Sequence, residues 1–387
     1  MGKAAREQLS RTLNEHLNTT HETFQLLDQT PASSLDKVSW NEIGQLIESL
    51  SKASITRMAT IGHNGHILQG AFWVFRAGTV GMLWTGETPE VKALEENMAT
   101  YFNTLQGFLL LAHGSSVGAG PTLLSSIHAS VKQVVDCSFM LLKESVSAYG
   151  SRSKDQKLSI PQLVGTVWDA CSALKKTPAT NITAIGRAMT QVAVSMKDVL
   201  REMEELKPAS SDPVDEALDE TSIQPEGEPH ESDDSCGGDL GNDLSPEEIK
   251  IAQVAINVVS GTVAVIKELI RSITGLLKQE NSDNSSDFVN SLEGLLKLCQ
   301  GIGQQIDELG ACLYPPQEVP AMKAASEKMS SILDEMQVEL ENHKGSSEAF
   351  LKACTDLRNW LRQLESELVC SSATDLVPQM EKLLLSS

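Results

Sequence analysis

The sequence has few aromatic residues, little positive charge and no paired cysteine motif. Aromatic residues make up 4% of its 387 residues, whereas hydrophobic residues make up 41%. Strands draw on aromatic and β-branched residues, whereas the Leu, Ala, Ser, Val, Glu and Lys that dominate here favour helices. We therefore expect an all-α fold, in a chain long enough to form two hydrophobic cores.

The shortage of positive charge excludes one class of partner. The formal net charge is −21, and no cluster of Lys and Arg interleaved with aromatic residues offsets it. Such a chain repels the phosphate backbone of DNA and RNA. We expect no direct binding of nucleic acid.

The cysteines form no CxxC motif and are odd in number, which indicates reduced thiols in the cytosol or nucleus and excludes a disulfide framework or a zinc site. They are Cys137, Cys171, Cys236, Cys299, Cys312, Cys354 and Cys370. The N-terminal segment MGKAAREQLS lacks the apolar core of a signal peptide, and Arg6 stands where a myristoylation motif has Ser or Thr. No uncharged apolar run reaches the ~20 residues that span a bilayer, and the nearest approach is at 106–112. We expect a soluble protein that is neither secreted nor bound to a membrane.

One segment differs from the rest in composition. Residues 208–244 contain twelve Asp and Glu and no Lys or Arg, so they carry −12 of the net charge of −21. Because the segment is also rich in Pro, Gly and Ser, it cannot bury enough apolar surface to offset the entropy of ordering. We predict a disordered acidic linker that divides the chain into domains 1–207 and 245–387. Within it, Ser232 and Ser235 lie among acidic residues and are candidate phosphorylation sites, or else solubilising linker residues.

Apolar residues recur at helical spacing on both sides of this linker. Before it, the pattern predicts helices near residues 9–17, 40–50, 91–109, 121–142, 159–174 and 180–206, with Pro121 in the first turn of the fourth. After it, Ser245, Pro246 and Glu248 are typical of a helix start. Further helices are expected over 287–313, 318–340 and 346–369, with a short one near 380–385. We predict two antiparallel bundles of five to six and then four to five helices.

Residues 61–82 interrupt the first bundle. Five glycines fall in this stretch, and glycine destabilises a helix by roughly 1 kcal/mol relative to alanine. We interpret it as an inserted loop or hairpin. His63 and His66 lie within it, but the sequence nearby offers no Cys, Asp or Glu to complete a metal site.

Other candidate sites have structural explanations. The turn at 114–120, GSSVGAG, lacks the Gly-Lys-Ser/Thr ending of a phosphate loop, which favours a tight helix connection. Met189, Met196 and Met203 recur every seven residues and are interpreted as core positions of the last helix of the first bundle, with an adaptable recognition surface as the alternative. Trp168 is predicted to anchor the first core. No catalytic, cofactor or metal residues are predicted, and the partner-binding residues are unknown.

Three segments resemble the cyclin-D-binding protein family, also called GCIP. Residues 163–171 (LVGTVWDAC) resemble one of its packing motifs, and residues 309–316 (LGACLYPP) resemble its Tyr-Pro-Pro junction. Residues 80–150, with VGMLWTGE and LQGFLLLAHG, are most similar to plant members. The family pattern is interrupted at 62–77.

The resemblance implies an adaptor that binds D-type cyclins and helix-loop-helix transcription factors. Such an adaptor restrains cell-cycle progression or transcription and moves between cytoplasm and nucleus. No basic region accompanies the helices, which suits an inhibitor that does not read DNA. The alternative is a cytoskeletal adaptor of the vinculin or talin-rod type, because that architecture also stacks amphipathic bundles.

Overall fold

The computed structural model describes residues 2–29, 90–149, 154–206, 244–276, 286–342 and 347–385. Within these ranges the chain forms nine α-helices, one short 3₁₀ turn at Leu174–Lys176 and no strand. The predicted all-α fold is confirmed. The helices are α1 Gly2–Gln29, α2 Val91–Ser115, α3 Pro121–Ser147, α4 Lys154–Ala173, α5 Asn181–Glu204, α6 Pro246–Leu276, α7 Ser286–Ala311, α8 Val319–Asn342 and α9 Glu348–Leu385.

Several predicted elements lie outside the described residues. They are the helix near 40–50, the insertion at 61–82 with His63 and His66, and most of the acidic linker, including Ser232, Ser235 and Cys236. The description resumes at Leu244, which is buried.

Side-chain caps fix the starts of α5 and α6. The Ser245 backbone N–H donates to Glu248 Oε2 at 2.8 Å, and the Glu248 N–H donates to Ser245 Oγ at 3.2 Å. This reciprocal pair is a capping box, which satisfies two N–H groups that the first turn leaves unpaired. Thr180 caps α5 in the same way, accepting from the Thr183 N–H at 3.2 Å.

Two helices differ from their predicted limits. The start of α4 was expected at Ser159, but this helix begins at Lys154 and contains Pro161. A proline inside a helix removes one hydrogen bond, and here the neighbouring Ile160 and Val164 are buried in the core and hold the helix together. The prediction of a separate helix near 380–385 is wrong, because α9 runs without a break to Leu385.

The helices group into two compact units that do not follow chain order. One unit comprises Met1–Ile185 with Asp283–Glu293, and the other comprises Gly186–Ser282 with Gly294–Ser387. Most of α5 therefore packs with helices that follow the linker, although the sequence placed it in the first bundle. The domain limits 1–207 and 245–387 stay a prediction about which segments fold independently.

The core of the first unit forms where α1, α2, α3 and α4 pack together. Tyr101 and Phe102 of α2 are fully buried there, and the Phe102 ring stacks on His16 of α1 with centroids 4.9 Å apart. The Tyr101 hydroxyl donates to Ser138 Oγ at 2.8 Å, which in turn donates to the Val134 carbonyl at 2.6 Å. Trp168, predicted as a core anchor, is only partly buried and packs against this core from its edge.

The core of the second unit forms around α6, which packs along α9, while α8 packs on α9. The three methionines of α5 are buried in this unit, so their predicted core role is confirmed but in the other unit. Close packing of α5 on α7 depends on glycine. A Cβ at Gly303 would lie 3.0 Å from Val192 Cγ1, and one at Gly310 would lie 2.8 Å from Val199 Cγ1.

Helix α6 contains a long uncharged apolar stretch. Residues 251–266 carry no charge, so the expectation that the longest apolar run lies at 106–112 is wrong. Pro246–Gly275 is long and apolar enough to cross a bilayer, with a mean hydropathy of 1.8, and half of that window is buried inside the protein. The core helix of a globular unit meets the same criteria, and its packing along α9 favours that interpretation.

Candidate partner-binding groove

An open groove runs between α7 and α8 within the second unit. It has a volume of about 740 Å³. Its walls come from one face of α7 and one face of α8. The lining residues are Gly294, Lys297, Leu298, Gly301, Ile332, Asp334, Glu335, Val338 and Glu339.

The groove contains apolar residues of both helices, which are Leu298 of α7 and Ile332 and Val338 of α8. Leu333, Met336 and Leu340 point into the core and are buried. On the opposite side, Val338 is 59% exposed and lines the groove together with the partly buried Ile332. A helix that needed only to pack into one core would present polar residues on its other side. Val338 is therefore an exposed apolar residue among carboxylates, where a partner can contact it.

Two glycines of α7 lower one wall of the groove. A Cβ at Gly294 would meet nothing within 4 Å, and a Cβ at Gly301 would meet only the tip of Ile332, at 3.4 Å. The fold therefore does not require glycine at residue 294. Glycine at residues 294 and 301 leaves this wall of the groove without side chains.

The rim of the groove is mainly acidic. Asp334, Glu335 and Glu339 lie on the α8 side, and Lys297 lies on the α7 side. Arg358 of α9 donates to Asp334 Oδ1 at 2.7 Å and to Gln337 Oε1 at 2.8 Å, which fixes the first of these carboxylates.

A smaller pocket of about 290 Å³ lies between the ends of α5 and α7. Tyr314, from the Tyr-Pro-Pro segment, lines it and is 44% exposed. The peptide bond between Pro315 and Pro316, one residue further along the chain, is cis. The other lining residues are Val199, Glu202, Met203, Leu206, Asp307, Gly310 and Ala311.

The glycine-rich turn before α3 is a structural clasp within the first unit. Gly118 adopts φ +72°, a conformation that favours glycine. Asn181 Oδ1 accepts from the Gly120 N–H at 2.7 Å, and Asn181 Nδ2 donates to the Gly118 carbonyl at 2.9 Å. Glu293 accepts from the Thr122 N–H at 2.9 Å and from the Thr122 hydroxyl at 2.6 Å. The anion at this helix start is thus the protein's own carboxylate, and the predicted tight connection is confirmed.

We predict that Gly120→Ala destabilises the protein by about 1–3 kcal/mol. The new Cβ would lie 2.6 Å from Val289 Cγ1 and 2.9 Å from Glu293 Oε1, so the clasp must shift. Gly107→Ala is the matched control, because its Cβ would meet nothing and alanine favours a helix. Urea denaturation monitored by circular dichroism measures the free energy of unfolding of both variants. Equal stability of the two variants would contradict this role of the clasp.

The buried thiols of Cys171, Cys299 and Cys354 are poor nucleophiles. Burial raises the pKa of Cys171 and of Cys299 to about 12, and burial raises the pKa of Cys354 to about 11. A nucleophilic cysteine needs its pKa lowered, because the thiolate is the reactive form. Within the described ranges, no group of three His, Cys, Asp or Glu side chains lies close enough to hold a metal ion. The open α7–α8 groove is a candidate site for a partner.

The groove residues were missed by the sequence analysis, although a signal was present. Gly294 and Gly301 stand seven residues apart on one helix face, and Val338 interrupts an otherwise acidic helix face. Glycine at a heptad spacing inside a helix points to a close approach of another element. Sequence alone does not say whether that element is internal or belongs to a partner.

Comparisons with known proteins agree with this picture of a binding protein. The family models for Grap2 and cyclin-D-interacting proteins match residues 75–209 with their N-terminal domain and residues 230–338 with their C-terminal domain. The second match includes the groove except for Glu339. Residues 62–74 of the inserted stretch fall outside both matches.

Two relatives are similar over about half of the chain. Cyclin-D1-binding protein 1 homolog of Xenopus laevis is 23% identical over 55% of this chain and 59% of its own length. The Danio rerio protein of the same name is 23% identical over 56% of this chain and 58% of its own length. The matches therefore span less than two thirds of either relative. The two family models together cover most of the chain, which belongs to the Grap2 and cyclin-D-interacting protein family.

Proposed function

We propose that this protein is a non-enzymatic adaptor that binds D-type cyclins, helix-loop-helix transcription factors or both. In this role it restrains cell-cycle progression or transcription. Family membership supports a binding function, and the names of the two relatives support cyclin D1 as the first partner to test.

The observation that carries the proposal is the α7–α8 groove. Amphipathic helices bind by laying their apolar face into a hydrophobic groove. The groove has apolar walls and lies mostly within the region matched by the family's C-terminal domain. Cyclins and helix-loop-helix factors both present helices, so either class could supply the bound element.

The cytoskeletal alternative is not favoured. It was based on helical-bundle architecture alone, and a fold does not determine function. The family match supplies an independent reason to prefer the cyclin-binding hypothesis.

The proposal extends to location and to two excluded partner classes. We place the protein in cytoplasm and nucleus, because the proposed partners act there. The net charge of −21 disfavours direct contact with nucleic acid and with anionic membranes. A fluorescent fusion in dividing cells tests the location.

Binding of a purified D-type cyclin to the intact chain tests the function. We expect saturable one-to-one binding in biolayer interferometry. A purified helix-loop-helix factor is measured in parallel. If neither protein binds, and actin-associated proteins are captured instead, the cytoskeletal alternative replaces the proposal.

A further inference from the structure

The acidic character of the groove continues along α8. Residues 329–342 contain four carboxylates, at Asp334, Glu335, Glu339 and Glu341, and no Lys or Arg. This half of the helix ends at Asn342, and no basic residue lies in the last turn.

Two of these carboxylates, Glu339 and Glu341, lie in the last turn, which is the unfavourable end of the helix for acidic residues. The backbone dipole leaves a partial negative charge at a helix C-terminus, where Lys and Arg stabilise and Asp and Glu do not. Glu339 and Glu341 in this position add to the negative potential, and Glu335 extends it one turn further, whereas Asp334 is partly offset by Arg358. A cation that approaches the groove would therefore be attracted by both the side chains and the helix end.

The dimensions of the groove set the shape of the partner. Gly294 and Gly301 are seven residues apart, so the glycine-lined wall extends about 10 Å, or two helical turns. A helix that lies along it would place apolar residues at positions i, i+3, i+4 and i+7 against Leu298, Ile332 and Val338. Above the two glycines there is room for the partner's backbone to come close.

We propose that the α7–α8 groove selects a basic amphipathic helix, with apolar residues facing the groove and Lys or Arg facing the α8 rim. This inference rests on the proposed function and names the chemistry of the partner. The chain's own 208–244 segment does not fit, because it contains twelve acidic residues and no basic ones. A second copy of the chain is also disfavoured, because each copy carries a net charge of −21.

The first test uses designed peptides with the intact chain. The probe is a fluorescein-labelled helical peptide of about 18 residues, or five turns, with Leu at the groove-facing positions and Lys on both flanks. One control replaces every Lys with Glu, and another keeps the composition but scrambles the Leu spacing. We expect the Lys peptide to bind at least about tenfold more tightly than either control, with affinity falling as salt rises.

Variants of the chain locate the binding. A Cβ at Gly294 would meet nothing within 4 Å, so Gly294→Leu places a side chain in the groove. This variant should weaken binding of the Lys peptide at least about tenfold while the melting temperature is kept. Gly107→Leu, at an exposed helix position with equal free space, is the control. The double variant Glu335→Lys with Glu339→Lys should also lose binding, whereas Glu327→Lys, exposed on the same helix outside the groove, should keep most of it.

The outcomes separate this inference from the proposed function. If Glu327→Lys weakens binding of the Lys peptide as much as the groove variants do, the attraction between the peptide and the acidic chain is non-specific. The inference is then wrong. If the scrambled peptide binds equally well, the groove does not read an apolar face and the inference is also wrong. If the Gly294→Leu variant still binds cyclin, the α7–α8 groove is not the cyclin-binding site, but the proposed function stands. Peptide binding without any cyclin or helix-loop-helix binding would overturn the proposed function alone.

Discussion

Phe350→Ala is expected to lower the free energy of unfolding by about 3–5 kcal/mol, because it empties the space of a large buried aromatic side chain. Phe350 lies in the first turn of α9 and is fully buried. Its backbone N–H donates to Ser347 Oγ at 3.2 Å, so the ring enters the core at the point where the helix starts. The loss would therefore affect both the core of the second unit and the start of α9.

The neighbouring Leu351 is the matched control. It is 36% exposed, so Leu351→Ala should change stability by less than about 1 kcal/mol. Urea denaturation monitored by circular dichroism compares the two variants with the unchanged protein. Similar midpoints for Phe350→Ala and Leu351→Ala would mean that the core of the second unit does not depend on this ring.

The sequence predicts the helices well because their signals are local. The Ser245–Glu248 capping box needs only residues three apart, and the apolar period of α2 or α6 requires no knowledge of a partner. The turn at 114–120 is likewise readable from its glycines. The start of α4 was missed because a proline usually begins a helix, whereas here burial of Ile160 and Val164 outweighs the lost hydrogen bond.

The arrangement of helices could not be predicted in the same way. The methionines of α5 indicate that one face is buried, but a buried face does not name the helix that covers it. That information lies in Gly303 and Gly310, more than a hundred residues later, where the missing side chains make room for Val192 and Val199. The groove could not be predicted for the same reason, because it forms only where α7 and α8 lie side by side.

The acidic linker remains a prediction and has its own physical consequence. Twelve carboxylates without basic partners repel one another, and salt weakens this repulsion because the Debye length falls to ~8 Å at physiological ionic strength. Phosphorylation of Ser232 and Ser235 would add roughly −1.5 to −2 charge at each residue. Both effects act on the segment that joins α5 to α6, and Gly186–Glu204 of α5 belongs to the same compact unit as α6.

Cutting the chain in this linker is expected to disrupt both units. Each compact unit uses a segment from beyond the cut, since Gly186–Glu204 of α5 belongs with the later helices and Asp283–Glu293 belongs with the earlier ones. In a fragment of residues 1–207, Met189, Met196 and Met203 lose the helices that bury them. Full exposure of each such side chain forfeits about 1.5–3 kcal/mol.

The two ways of dividing the chain therefore give opposite expectations. If domains 1–207 and 245–387 fold independently, each fragment melts cooperatively and mixing them changes nothing. If the two compact units are the folding units, fragment 1–207 loses the helicity of α5 and the hydrogen bonds from Thr122 to Glu293. Mixing with fragment 245–387 then restores both. Circular dichroism and amide exchange of the separate and mixed fragments decide between them. Full protection of the α5 amides in fragment 1–207 alone would mean that α5 does not depend on the helices beyond the linker.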